Sequence, residues 1–362
     1  KPSPDDWAVL LDKIVPDRRE DQVAIRDGAA FVRRLIRTTV PRASFELMPS
    51  GTILITGGTG ALGGYSARWL VEHGAKHLVL TSRRGLEAQG ALELKAELEA
   101  KGASVSVARC DVADAYAVRE LVDSLQSELK VVIHAAGIAN YIVIEDISAE
   151  DIENEFAAKV TGAWNLHEAC AGLTLDACIF YGSIAGLWGS GRQIAYSAAN
   201  AALEGLARFR QSQGLAGQCL HWGPWAGGGL VDQALDDSRA EEELRRRGLL
   251  PMDPTAAVQG LGASLEYKGA SLGIVDVDWS LFARSFASMR ERPLLEGVRE
   301  AHLVLTTKVV DEALASRRDE LLALSAEERA AALLKLVLQE VAAVLGVADS
   351  SGIDPDEPLN TL

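Results

Sequence analysis

The chain has 362 residues, of which 48% are hydrophobic and 24% charged, a balance that belongs to globular proteins of one or two domains and excludes wholesale disorder. With 36 basic and 51 acidic residues the net charge is −15. That charge repels phosphate backbones and anionic lipid, so neither nucleic acid nor a membrane surface is expected as a partner. No run reaches the roughly 18 apolar residues that span a bilayer, and the stretch from Lys1 to Asp6 has no apolar core of signal-peptide type. Cys110, Cys170, Cys178 and Cys219 lie far apart, without metal-ligand spacing. They read as buried thiols of a reducing, cytoplasmic compartment, with no metal.

Three segments follow one another. Residues 1–48 hold an amphipathic stretch at 7–14 and two short apolar runs, 22–25 and 30–32, joined by Arg26-Asp27-Gly28. Asp-Gly between such runs predicts a β-hairpin. One hairpin cannot bury a core, so this segment docks on another body or ends a domain that began upstream. Residues 49–310 alternate short β-branched runs with helical stretches. The runs begin near Thr52, His77, Ser104, Val131, Ala177, Gln218 and Leu272. That alternation predicts an α/β fold: a doubly wound, parallel, seven-stranded sheet of Rossmann type. Residues 311–362 form a helical tail, in which Ser325 and Glu328 make a capping box before an apolar helix reaching Leu345. A polar loop follows at 349–358, and the stop at Leu362 reads as a boundary inside a domain.

The segment Thr56-Gly57-Gly58-Thr59-Gly60-Ala61-Leu62 joins the first of the seven strands to a helix. Glycines there let the backbone turn sharply and approach a pyrophosphate, which the helix N-terminus attracts. The second strand ends on Thr81-Ser82-Arg83-Arg84. An arginine at that place pairs with a 2′-phosphate, where a carboxylate would select ribose hydroxyls, so the expected cofactor is NADPH. By the rule that ligands lie at the carboxyl ends of strands, Asp111 and Val112 flank the adenine. His134-Ala135-Ala136-Gly137 line the same cleft.

Tyr196 and Asn200 are four residues apart at the start of a helix, Ser183 ends the fifth strand, and Lys159 lies on the helix before it. The combination suits one task. The phenol donates a proton to an oxygen that gains charge, the serine holds that oxygen, and the ammonium draws the phenol pKa toward neutrality. Singly, each is an ordinary core tyrosine, helix-capping serine or surface lysine.

The glycine loop and the Ser183–Tyr196 spacing resemble the short-chain dehydrogenase/reductases. In most of that family a lysine follows the tyrosine by four residues. Here Asn200 takes that place and the lysine is upstream, at Lys159. That exchange, together with His134-Ala135-Ala136-Gly137, Ser183-Ile184-Ala185-Gly186 and His221-Trp222-Gly223-Pro224-Trp225, resembles the ketoreductase domains of modular type I polyketide synthases. The resemblance implies NADPH-dependent reduction of a β-ketoacyl thioester carried by the phosphopantetheine arm of an acyl carrier protein, among neighbouring synthase domains. It makes Tyr196 the acid, Ser183 the oxygen holder and Lys159 with Asn200 the supporting pair. Pro224 and Trp225 join the cofactor-binding residues. It identifies the hairpin as a remnant of a structural subdomain. Residues 311–362 resemble a linker and the start of an acyl carrier protein, without the Gly-x-Asp-Ser-Leu motif that carries the arm.

The same resemblance bears on stereochemistry. The Leu-Asp-Asp fingerprint of D-hydroxyl reductases is replaced by Ile138-Ala139-Asn140, whereas the tryptophan of the L-hydroxyl, A-type group stands at Trp188. Gln193 occupies the place where L-type reductases of epimerised α-methyl substrates carry histidine, which implies an unepimerised substrate. Leu230 is the third residue expected beside the substrate. The Gly227-Gly228-Gly229 run before the charged stretch 232–247 fits either a hinged lid or a plain surface helix. Two other readings stay open: a redox-inactive scaffold or epimerase, and a free-standing ketone reductase.

Overall fold

The computed structural model describes residues 20–40, 51–227, 237–288, 290–306, 318, 320–345 and 353–355. The expected helix at 7–14, Gly228, Gly229 and Leu230 lie outside the described residues. All seven predicted strands form one parallel sheet: β3 (Thr52–Thr56), β4 (His77–Ser82), β5 (Ser104–Arg109), β6 (Leu129–His134), β7 (Ala177–Ser183), β8 (Gln218–Trp222) and β10 (Ser271–Ile274). Their order is β10-β8-β7-β6-β3-β4-β5. The chain runs outward from β3 to β5, then returns to β6 on the other side. The crevice between β3 and β6 is therefore the topological switch point where such sheets bind ligands.

Alternation along the strands feeds two cores. Ile53, Ile55, Leu78 and Leu80 pack with the Ala61–Glu72 and Pro254–Glu266 helices. Leu54, Val79, Val132 and Phe180 pack on the opposite face with Val118, Leu166 and Leu203. Both faces are dry, which is why the strands read as continuous apolar runs. The four cysteines are buried and unpaired, and burial pushes the thiols of Cys170 and Cys178 up to about 12 and about 11. Among the described residues no helix is long and apolar enough to cross a membrane.

The N-terminal hairpin, β1 (Val23–Arg26) and β2 (Ala29–Val32), turns on Asp27 and Gly28. Both have positive φ, 50° and 72°, the two left-handed residues of a type I′ turn. The hairpin docks on the same compact unit, residues 1–305, that holds the sheet. The Leu35 N–H donates to the Leu294 carbonyl at 2.8 Å. Arg33 reaches Glu204 at 2.7 Å, and Arg34 reaches Glu296 at 3.0 Å. Gly297 fits against this strap only because it lacks a side chain: a Cβ there would stand 2.4 Å from the Leu35 carbonyl oxygen.

A short antiparallel pair, β9 (Leu249–Leu250) with β11 (Asp276–Val277), was not expected from the sequence. Two residues per strand are too few for an alternation signal. Of the charged stretch at 232–247, the described part is a helix over Asp237–Arg246. Residues 306–362 form a second compact unit. Its helix runs Ala326–Leu345, and the capping box is present: Ser325 Oγ accepts from the Glu328 N–H at 3.3 Å, while the Glu328 carboxylate accepts from the Ser325 N–H at 3.1 Å.

Gly297→Ala forces that 2.4 Å contact to open. Overpacking of this kind costs about 1–3 kcal/mol. Limited proteolysis should cut the variant faster between residues 20 and 40, while Leu54→Ala, deep in the core, should instead lower the midpoint of global unfolding.

Candidate active site

The glycine loop lies at the carboxyl end of β3. Gly57 has φ +65°, and a Cβ on it would sit 2.9 Å from the Ala136 backbone. A Cβ on Gly63 would sit 2.4 Å from the Gly57 carbonyl, and one on Gly58 would strike Ile55 and Leu80. The loop is therefore pressed between the first turn of its helix and the Ala135-Ala136 backbone, where only glycine fits. Gly60 is the N-cap of the Ala61–Glu72 helix and supplies no side-chain cap, and no acidic side chain occupies the first turn. The Gly60 N–H is spent on the Gly57 carbonyl at 3.0 Å, and the amides of Thr59, Ala61 and Leu62 keep the donors of an anion site. Ser82 ends β4 and turns its hydroxyl to the Gly85 carbonyl at 3.4 Å. Arg83 and Arg84 are exposed and have no carboxylate partner among the described residues. Asp111 follows β5 and caps its own turn through the Ala113 N–H, while Val112 is buried against Gly162. These features fit a dinucleotide with an additional phosphate.

His134 closes β6 and is fully buried. Its Nε2 faces the Lys159 carbonyl at 3.0 Å, and its Nδ1 faces Thr56 Oγ1 at 2.7 Å. Burial holds the imidazole down to about 4, so it is neutral at physiological pH. A carbonyl only accepts, so Nε2 carries the hydrogen and Nδ1 accepts from the threonine.

Lys159 sits in a single π-helical turn, Ala157–Thr161, between two α-helices. Such turns recur at functional sites. Its ammonium donates to the Tyr181 carbonyl at 3.1 Å and lies 5.5 Å from the centre of the Tyr196 ring. Gly137 makes room: a Cβ there would stand 2.9 Å from Lys159 Cε. Burial brings Lys159 down to about 8, against the pull of Cys219 and Glu155. Tyr196 is on the first turn of the Ile194–Ser212 helix, beside Ser183 at the end of β7. Asn200, one turn on, donates to the Tyr196 carbonyl at 2.7 Å, and its buried Oδ1 has no partner. The four expected residues thus converge. One expectation is not met: burial pushes the phenol up to about 12, although Ser183 opposes it. The ammonium stands over the ring face rather than at the phenol oxygen, and desolvation wins.

Behind Ser183 lies a pair that the sequence did not disclose. His221, on β8, is fully buried. Its Nδ1 donates to the Ser183 carbonyl at 3.0 Å, and its Nε2 lies 3.3 Å from Glu204 Oε2. Arg33 and Arg208 complete the carboxylate's surroundings, each at 2.7 Å. Burial resists the charge on both members. His221, with Arg33 and Arg208, still brings Glu204 down to about 2, and Cys219 and Glu204 bring His221 up to about 10.

Of the three stereochemical residues, Trp188 is buried against Phe282, ring centres 5.0 Å apart, in a cluster with Ile184, Leu187 and Leu295. Gln193 is the N-cap of the Ile194–Ser212 helix, where its Oε1 accepts from Ser190 at 2.7 Å and its side chain meets Tyr141. Leu230 lies outside the described residues. Pro224 and Trp225 follow β8. The Pro224 carbonyl accepts from the Met252 N–H at 2.9 Å, and Trp225 packs on Tyr65 and Trp222.

A family model described as the KR domain matches residues 51–227. The polyketide synthase GfsA of Streptomyces halstedii is 42% identical over 98% of this chain, which spans about 5% of that relative's length. An A1-type ketoreductase structure is 41% identical, with a TM-score of 0.74 over 80% of this chain and 61% of the other. A ketoreductase from the first module of phoslactomycin biosynthesis in Streptomyces sp. HK803 is 38% identical, with a TM-score of 0.74 over 81% of this chain and 68% of the other.

The His221–Glu204 pair sets a pH window. Glu204, depressed to about 2, contributes stability above the ordinary carboxylate pKa of 4.5 that is lost as pH falls toward 2. His221, raised to about 10, contributes stability below 6.5 that is lost as pH rises through 10. The pair's full contribution therefore falls between pH 4.5 and 6.5. Glu204→Gln strands a buried imidazolium, at a cost of about 3–5 kcal/mol. Thermal unfolding across pH should show the largest gap from wild type inside that window.

Proposed function

Because this chain belongs to the KR-domain family, the ketoreductases of modular type I polyketide synthases, we propose that it reduces a β-ketoacyl thioester to the L-β-hydroxyacyl thioester with NADPH. The observation that carries the reading is the convergence of Ser183, Tyr196, Lys159 and Asn200 beside an uncapped glycine cradle. NADPH, when bound, supplies the hydride. Gly57, Gly58 and Gly60 admit its pyrophosphate, and Arg83, with Arg84, meets the 2′-phosphate. Ser183 Oγ holds the ketone oxygen. Tyr196 holds its proton up to about 12 and gives it to that oxygen as charge develops there. Lys159 and Asn200 keep the phenol in place.

The substrate arrives on the phosphopantetheine arm of an acyl carrier protein, in the cytoplasm and among neighbouring synthase domains. Residues 311–362 are the linker and start of such a carrier. A-type structural neighbours support the L configuration, with Trp188 backing the wall that selects the face of the ketone and Gln193 favouring an unepimerised α-carbon.

Oxidation of NADPH with a 2-methyl-3-ketopentanoyl N-acetylcysteamine thioester, followed by absorbance, tests the chemistry. Wild type should prefer NADPH to NADH, Arg83→Ala should raise the KM for NADPH about tenfold, and Tyr196→Phe should lower kcat about 10²–10⁴-fold. A folded, NADPH-binding wild type that oxidises nothing would favour the scaffold or epimerase reading.

Chiral chromatography of the product from the racemic 2-methyl substrate tests the stereochemistry. The L-hydroxyl with an unepimerised methyl is expected, and a D-hydroxyl product would overturn the Trp188 assignment.

A further inference from the structure

Ser183 stands where a strand gives way to a helix. The pairing of β7 with β8 ends on Ser183 and Trp222. The next residue, Ile184, donates its N–H to the Trp222 carbonyl at 3.0 Å and then turns into the Ala185–Trp188 helix. The Ser183 hydroxyl accepts from the Ala185 N–H at 3.2 Å. A hydroxyl has one proton and two acceptor sites, so this contact leaves the proton free for a ketone oxygen. Where that proton points depends on the peptide that carries the serine, and that peptide is gripped from behind.

Three contacts run from the Ser183 peptide to the surface of the unit. His221, fully buried on β8, donates from Nδ1 to the Ser183 carbonyl at 3.0 Å. Its Nε2 lies 3.3 Å from Glu204 Oε2. The same oxygen accepts from Arg33 Nη2 at 2.7 Å, from the strap that follows β2, 171 residues away in sequence. Arg208 donates to the other oxygen, Oε1, at 2.7 Å, so both carboxylate oxygens are spent. The outer end of the chain is accessible, since the Arg33 side chain is 34% exposed.

Stability alone is a poor reason for such a chain. Desolvation of a buried ion pair offsets most of its attraction, and an apolar pair of similar volume often serves the fold as well. What the polar pair adds is a fixed position for one carbonyl. We infer that His221 and Glu204 are positioning residues that hold Ser183 in line with the ketone oxygen, with Arg33 of the hairpin strap as their outer anchor. This rests on the reading of Ser183 as the oxygen holder. None of the three touches substrate or cofactor; each acts through the Ser183 peptide. A 1 Å displacement of a group at the reacting centre can cost about 10²-fold in rate, which gives the leverage of such a contact.

The test measures kcat, KM and NADPH affinity for H221L, H221N and R33A, each alone and combined with S183A, using the 2-methyl-3-keto thioester and verifying folding by circular dichroism. Leucine fills the place of the imidazole without a donor, whereas asparagine keeps an N–H near the place of Nδ1. Glu204 is left intact, because its loss strands the buried imidazolium. H221L should lose about 10–100-fold in kcat, with KM and NADPH affinity within twofold, and H221N should recover most of the loss. R33A should lose about two- to fivefold in kcat, restored by R33K. In the S183A background neither H221L nor R33A should cost anything further, because the group they position is gone. A loss of undiminished size in S183A would mean a purely structural pair and overturn the inference, as would a folded H221L with wild-type kcat. If H221L does not fold, R33A with S183A decides by the same rule: independent losses overturn the inference. An S183A variant with wild-type kcat would instead overturn Ser183 as the oxygen holder.

Discussion

Burial keeps the His134 ring neutral at physiological pH, and the site is arranged around that neutral ring. As a neutral imidazole it has one donor and one acceptor, and both are committed. The donor fixes the Lys159 carbonyl, and the acceptor fixes the Thr56 hydroxyl at the mouth of the glycine loop. Cofactor cradle and lysine turn are thereby held by one rigid group at the switch point of the sheet. A protonated ring would present two donors, leaving the threonine hydroxyl to reverse and taking a full charge out of water, which is costly without a counter-ion. The small residues after it follow from the same geometry. Ala136 passes the glycine loop at van der Waals distance, and Gly137 leaves the volume that the Lys159 side chain fills.

Around this joint the site combines groups that burial has pushed in different directions. Lys159 is drawn down and the Tyr196 phenol up, both by desolvation. A second pair, His221 with Glu204, is held in its charged form, the imidazole by Cys219 and Glu204 and the carboxylate by His221, Arg33 and Arg208. It grips the Ser183 backbone while Ser183 Oγ remains available to Tyr196.

The sheet was legible because its strands are buried on both faces and so read as unbroken β-branched runs between glycine-marked turns. The hairpin was legible because Asp27-Gly28 supplies the two left-handed residues that a tight turn demands. Ser183 was legible at a strand end, Tyr196 and Asn200 at the start of a helix and Lys159 on the helix before that strand, and the structure brings them together. What the sequence hid shares one cause: burial of polar side chains is not written in local periodicity. Glu155 lies in a run of acidic residues and reads as surface, yet it is the one residue of the Ala149–Phe156 helix that is buried. Glu204 belongs to an ordinary helix and His221 to an ordinary strand. Their meeting depends on how helix and sheet pack, as does the burial that raises the phenol rather than lowering it.

The strap that fastens the hairpin spans most of this unit: Arg34 bonds Glu296 across 262 residues of sequence. A two-stranded hairpin is marginal in isolation, and this one exposes Phe31 and Val32 even when docked. During synthesis at about 5–20 residues per second, roughly 10–50 s pass between the emergence of the hairpin and that of its partner. The β-hairpin is made early but fastened late. Throughout that interval its apolar side chains and open strand edges must be guarded by some other surface, so the order of the chain turns a static contact into a timed step of folding on the ribosome.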